Sequence, residues 1–352
     1  MFKIWKLASI VVIGTLVLSL GLVMAPLAGT AGAATLRVPE DYRTIQDAID
    51  DAEPGDTILV GPGEYVENPE IYGGRDRLTI RSTEGADSTL IVGDDGPVVS
   101  IYDVNGVTFE GFTVVNGGGF SWYGIPLPGY GIGLINASNC LIANNIVADN
   151  EAGIFVLGGT VYPPIAGMEE GVGFDGGIEL VSNGNTIRDN EVYGNGGGET
   201  GMGFGMLLIN CNETTVEGNV VYYNEVGGVC VMGGYISMMA PAAALEGSET
   251  VSLPPPTFMG VARDNQIIDN EIYYGVIRGS MPPSGGVGQP IPPPGVMLLN
   301  TLRNTVSDNE IYSNFFGVLI FGFTGIGPWG YMEGEAKENV VSDNEIYDNY
   351  MG

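Results

Sequence analysis

The chain has 352 residues, with 42 Asp and Glu against 12 Lys and Arg, a formal net charge of −30 and no histidine. So acidic a balance repels nucleic acid and anionic lipid, and suits divalent cations and neutral or basic partners. Without histidine there is no Ser-His-Asp triad, no Cys-His dyad and no zinc hydrolase centre.

In chain order, Lys3 and Lys6 precede an apolar run from Leu7 to Leu27, and "AGA" at 31–33 supplies the small residues of a cleavage site. Residues 1–33 read as an export signal, although a run of this length also suits a retained membrane anchor. No later stretch is apolar enough to span a bilayer, so the destination is extracellular, cell-surface or periplasmic. Residues 34–66 read as an N-terminal cap and a first strand. Thr44 with Asp47 opens a helix, Ile45, Ala48, Ile49 and Ala52 give it one apolar face, "EPGD" stops it, and "TILV" begins the strand. Such a helix would close the open end of a stacked-strand column.

From residue 67 onward a phrase recurs: "NTIRDNEVYGN" at 185–195, "NQIIDNEIYYG" at 265–275, "NTVSDNEIYSN" at 304–314 and "NVVSDNEIYDN" at 339–349. Aligned on the turn asparagine, it gives Asn145, Asn190, Asn219, Asn270, Asn309 and Asn344, with Gly111 as an earlier member. Three residues before each lies an apolar residue (Ile142, Ile187, Val216, Ile267, Val306, Val341), and two after lies another (Val147, Val192, Val221, Ile272, Ile311, Ile346). This alternation predicts two short strands, with the asparagine supplying a left-handed corner between them. A glycine-led third strand follows at 153–157, 227–231 and 316–320. Three strands and three corners make one turn of a coil that buries its apolar positions only by stacking, about 4.8 Å per turn. The expected fold is all-β, a parallel β-helix with three strands per coil and a short capping helix, its asparagines stacked as a hydrogen-bonded ladder. Uneven spacing of the turn asparagines places insertions around the third strand, projecting from one side of residues 67–352.

Residues 38–67, "VPEDYRTIQDAIDDAEPGDTILVGPGEYVE", resemble the opening segment of right-handed parallel β-helix proteins of the pectin-lyase-like superfamily. The N-x-[IV]-x-x-N turns resemble the NosD-type and general right-handed β-helix repeat families. The resemblance implies a right-handed coil and brings in pectin and alginate lyases, polygalacturonases, pectin methylesterases and mannuronan epimerases. Their histidine motifs are absent here, and the methylesterase Gly-Asp-Phe motif has no match. A lyase base would fall to Arg278 or Lys337, and a hydrolase pair to carboxylates such as Glu169 and Glu333. The methionines that a NosD-type copper site would use form no regular array.

Outward positions flanking the turn line up carboxylates: Asp189, Glu191, Asp269, Glu271, Asp308, Glu310, Asp343 and Glu345. Either salt screens this stripe or Ca²⁺ bridges it. Tyr193, Tyr222, Tyr273, Tyr312 and Tyr347 form a second outward column. The insertions carry the better ligand candidates, Trp122, Tyr123, Tyr130, Tyr162, Tyr235, Trp329 and Tyr331, which either meet sugars or a partner protein or pack over one another. Cys140, Cys211 and Cys230 are either one disulfide with a free thiol or buried packing. Asn136 and Asn212 lie in glycosylation sequons. The chain ends one strand short of a full coil, which leaves end-to-end association, a covering partner or a longer product open.

The reading is an exported β-helix that binds a polysaccharide or cell-surface component through loops on one flank. A polysaccharide lyase or hydrolase and a structural envelope protein are the alternatives.

Overall fold

The computed structural model describes residues 32–122, 125–162, 177–197, 202–237, 257–275, 292–327 and 330–351; the side chains of Trp122 and Tyr331 lie outside that description. All but the last two residues of the expected export signal, 1–31, lie outside the described residues, and Thr35–Gly352 forms one compact unit.

Each coil contributes one strand to each of three parallel sheets. The first has ten strands, from Thr35–Val38 to Val340–Ser342; the second has nine, from Gly63–Val66 to Glu345–Tyr347; the third has eight, from Glu70–Ile71 to Phe316–Phe321. Register places like on like. Ile142 lies between Phe109 and Ile187, Val147 between Val114 and Val192, and Leu134 between Ile101 and Val156. These inward positions form one continuous buried core. At the N-terminal end the helix Ile45–Asp51 adds Ile45, Ala48 and Ile49 to that core. Its first-turn N–H groups are satisfied by Thr44 Oγ1, which accepts from Asp47, and by the Glu67 carboxylate, which accepts from Ile45 and Gln46.

The turn asparagine works differently from the expectation. The left-handed corner belongs to the residue before it: Asn144 (φ 56), Asp189 (φ 56), Gly218 (φ 62), Asp269 (φ 55), Asp308 (φ 59) and Asp343 (φ 56). Gly111 (φ 82) belongs with that set, and Phe112 is the residue in register with Asn145. A short polar side chain or glycine tolerates this conformation, and the corner residue points outward. The following asparagine is buried, and its side chain joins coils. Asn219 Nδ2 donates to Asn270 Oδ1 at 2.9 Å, Asn190 Nδ2 to Asn219 Oδ1 at 3.0 Å, and Asn309 Nδ2 to Asn344 Oδ1 at 2.8 Å. Two further columns do the same at the other corners, Asn150–Asn195–Asn224 and Asn265–Asn304–Asn339.

The insertions alternate from coil to coil. Long connections enter the third sheet at 116–129, 194–203 and 274–293, where the exit is short; the coils between have short entries and long exits at 158–185, 233–265 and 322–339. This explains turn-asparagine spacings of 45, 29, 51, 39 and 35 residues. The corner residue tells the two apart. Asn136, Asn210 and Asn300, with φ of 50–54, turn the short exits, whereas Gly158, Gly233 and Gly322 begin the long ones. At Gly158 a Cβ would stand 2.7 Å from the Asn210 carbonyl oxygen, so only glycine fits.

The long exits build a fourth layer. Their strands form a six-stranded antiparallel sheet in the order 178–180, 159–162, 257–260, 234–237, 330–333, 325–327. It covers the outer face of the third sheet, whose strands at 152–157, 204–209, 227–232 and 294–299 are consequently buried at every position. Phe155, Leu157, Leu207, Cys230 and Met297 form the core between the layers with Val161, Ile236, Phe258 and Met332 from the cover.

Candidate functional site

The cover stops before the first coils of the third sheet, and its edge strand 178–180 borders a pocket of about 510 Å³. The floor comes from the strands at 70–71, 99–105 and 130–138. On the middle one, alternation sends Ile101 inward and Tyr102 and Ser100 outward. Ser100 is paired with Gly133, and the missing side chain there leaves room for the Tyr130 ring, whose carbons would lie 2.3–2.7 Å from a Cβ. Phe120 closes one wall by an edge-on contact with Tyr130, centroids 5.5 Å apart; Ile135, Ile178, Leu180 and Pro97 supply the remaining apolar surface.

Polar groups sit on this apolar base. Tyr102 donates its hydroxyl to Glu70 Oε2 at 3.1 Å, and its ring stacks on Tyr72 at 6.0 Å. Partial burial, and then the Glu70 charge, push the Tyr102 phenol up to about 12. Tyr130 shares a 3.1 Å hydrogen bond with Ser100 Oγ, and burial lifts its phenol likewise to about 12. Asn136 Nδ2 donates to Asp103 Oδ1 at 2.7 Å. Asn68 fixes the neighbouring turn, donating to the Pro97 and Asp95 carbonyls and accepting from the Asp94 N–H. Among the described residues the lining thus holds three carboxylates, Glu70, Asp95 and Asp103, and no basic side chain.

Among the described side chains of the sequence candidates, only Tyr130 lines this pocket, and it does so as a buried ring, 2% exposed, rather than as an exposed platform. Tyr162 and Tyr235 lie on separate strands of the cover sheet. Tyr123, Trp329, Arg278 and Glu169 lie outside the described residues, and Trp122 and Tyr331 are described by backbone alone. Lys337 is exposed and paired with Glu335, and Glu333 lies on a cover strand in register with Tyr235. Glu70, Tyr102 and Asp103 escaped sequence reasoning because the first coils lack the Asn-x-x-Asn phrase. The signal that marks them is the outward tyrosine of "SIYDVN", one coil from an outward glutamate.

The acidic stripe is broken rather than continuous, because Gly218 and Val220 take the places of Asp and Glu in one coil. Its glutamates are engaged by tyrosines: Glu191 accepts from Tyr222 at 2.6 Å, Glu271 from Tyr312 at 2.7 Å, and Glu310 from Tyr347. Among the described residues no group of three Asp, Glu, Cys or His side chains is arranged to hold a metal ion. The five tyrosines stack ring on ring at 4.8–5.1 Å with planes within 13°. Neighbouring rings therefore occupy the faces that a sugar would need. All three cysteines are buried and free.

The sequence model of the family described as "Right handed beta helix region" matches residues 71–238. This chain is a right-handed β-helix protein. A cell surface glycoprotein of Methanothermus fervidus is 30% identical over 150 residues, 41% of this chain but only 22% of that protein, so the match spans about a fifth of the relative's length. Solved structures similar to this β-helix include an alginate lyase from Paenibacillus (14% identity, TM-score 0.39, 90% of this chain and 97% of that one) and a pectin methylesterase from carrot (11%, 0.45, 90% and 90%). A family 28 exopolygalacturonase of Yersinia enterocolitica is 11% identical with a TM-score of 0.45, covering 91% of this chain and 67% of that one. At such identities and scores these enzymes carry no argument about activity here. Among the described residues no helix is long and apolar enough to cross a membrane.

Proposed function

We propose that this β-helix protein acts at the cell surface and binds a saccharide in the pocket between the third sheet and the edge of its cover. The observation that carries the reading is the union, in one concavity of about 510 Å³, of aromatic rings with carboxylates and amide groups. Rings supply apolar contact for the C–H faces of a sugar, and the oxygens accept from its hydroxyls. Fixed side chains favour this use: Tyr102, Tyr130, Asp103 and Asn68 are each held by a partner before any ligand arrives, so little ordering cost remains. Similarity to a cell surface glycoprotein supports the location.

Titration calorimetry against a panel of oligosaccharides tests the proposal. Wild-type protein should bind at least one member, and Tyr102→Ala should weaken that binding at least tenfold while leaving the circular dichroism unchanged. A silent panel, or a ligand indifferent to Tyr102→Ala, would remove the pocket from the account.

A further inference from the structure

The pocket's charge narrows the ligand class. Glu70, Asp95 and Asp103 line it, and among the described residues no lysine or arginine does. Nor can a nearby connection supply one, because from Ser82 to Ile187 the sequence contains no Lys, Arg or His, while it contains twelve Asp and Glu. Arg75 sits over the Tyr72 ring but donates to the Ile49 and Asp50 carbonyls and does not line the pocket. A ligand carboxylate would thus meet three like charges with no counter-charge, and partial enclosure weakens the solvent screening.

Resting on the saccharide reading above, we propose that the pocket selects a cationic sugar, an oligosaccharide bearing free amines, and rejects uronates. An ammonium group entering the pocket meets a lining that carries Glu70, Asp95 and Asp103. Glu70 already accepts from Tyr102 through Oε2, which leaves Oε1 for the ligand. The Tyr102 and Phe120 rings add faces that attract a cation as well as the apolar side of a pyranose.

The test compares three oligomers of equal length on the full chain: β-linked glucosamine, its N-acetylated form, and galacturonate. Mildly acidic buffer keeps the ligand amine protonated. Glucosamine oligomer is expected to bind at least tenfold more tightly than the acetylated form, with galacturonate silent. The preference should shrink as salt is raised, and the Glu70→Gln, Asp95→Asn double variant should abolish it without loss of fold. Equal affinity for the amino and acetylated oligomers overturns the charge proposal but leaves the saccharide reading standing. Galacturonate binding overturns the proposal in the same way. Binding of a lysine-rich peptide with no saccharide bound overturns both.

Discussion

The asparagine columns join coils through buried amides, so deleting one amide should cost far more than its size suggests. Asn219 is fully buried. Its Oδ1 accepts from the Asn190 backbone N–H and from Asn190 Nδ2, both at 3.0 Å; its Nδ2 donates to the Ile187 carbonyl, the Glu217 carbonyl and Asn270 Oδ1 at 2.9–3.0 Å. Each net bond is worth about 1 kcal/mol, and a buried donor left without an acceptor costs about 1–3 kcal/mol. In Asn219→Ala the Asn190 N–H loses its acceptor, while Asn190 Nδ2 keeps the Ile142 carbonyl at 3.0 Å. The expected loss is about 3–5 kcal/mol. Urea unfolding should show it as a lower midpoint, and hydrogen exchange should show the Asn190 amide losing protection. Asn219→Asp separates hydrogen bonding from volume. It keeps an acceptor for Asn190 but aims a second oxygen at three other acceptors, so its carboxyl should ionise only well above the usual range when folded. With the folded value raised, stability is fullest below the unfolded value and falls as pH rises toward the folded one. A wild-type midpoint for Asn219→Ala, with the Asn190 amide still protected, would refute the argument.

Tyr273 is sandwiched between Tyr222 at 5.1 Å and Tyr312 at 4.8 Å, so Tyr273→Ala loses two stacked faces, about 1–3 kcal/mol in all, whereas Tyr273→Phe keeps both and should sit near wild type in thermal melts. Tyr102 and Tyr130 have phenols raised to about 12, chiefly by burial. The folded state therefore holds protons that the unfolded chain releases near pH 10, and melting temperature should be insensitive to these groups below pH 10 and decline between 10 and 12. Burial pushes the Cys140 thiol up to about 11, Cys211 to about 12 and Cys230 higher still, so native protein should resist alkylation at neutral pH and gain three labels, counted by intact mass, once unfolded.

What the sequence revealed of this molecule follows from periodicity. Inward positions such as Ile187, Val192 and Val216 alternate with polar neighbours, and one-face burial is legible from such alternation. The third sheet is legible only as apolar runs led by glycine, because both of its faces are buried and alternation vanishes there. A run such as "GIFVL" cannot announce which layer will cover it. The sequence alone places the left-handed corner one residue too late because Asp and Asn both tolerate that conformation; only burial distinguishes Asp189, which turns outward, from Asn190, which bonds inward. The pocket was invisible for a different reason. Its walls are brought together by pairing across coils, Tyr102 beside Ile135 and Glu70 beside Ser100, with Leu180 arriving from an insertion.

The position of the pocket follows from the alternation of insertions. A coil with a long exit sends a hairpin over the third sheet, and each hairpin pairs with the next, 159–162 with 257–260 and 234–237 with 330–333. The cover therefore grows by whole hairpins, and its first member is the one leaving at Gly158. Coils before that point leave the third sheet by short exits, so Tyr102 and Ser100 stand at the margin of a layer that seals their counterparts Leu157 and Phe155 into the second core. A concavity at the first uncovered coil is thus a geometric consequence of where the hairpins begin. Its chemistry is not: outward positions that are apolar under the cover become Tyr102, Ser100 and Glu70 where the cover ends. A merely truncated layer would leave only apolar side chains at its margin, whereas here the Tyr102 and Tyr130 rings carry hydroxyls paired with Glu70 and Ser100, which gives the pocket a polar as well as an apolar lining.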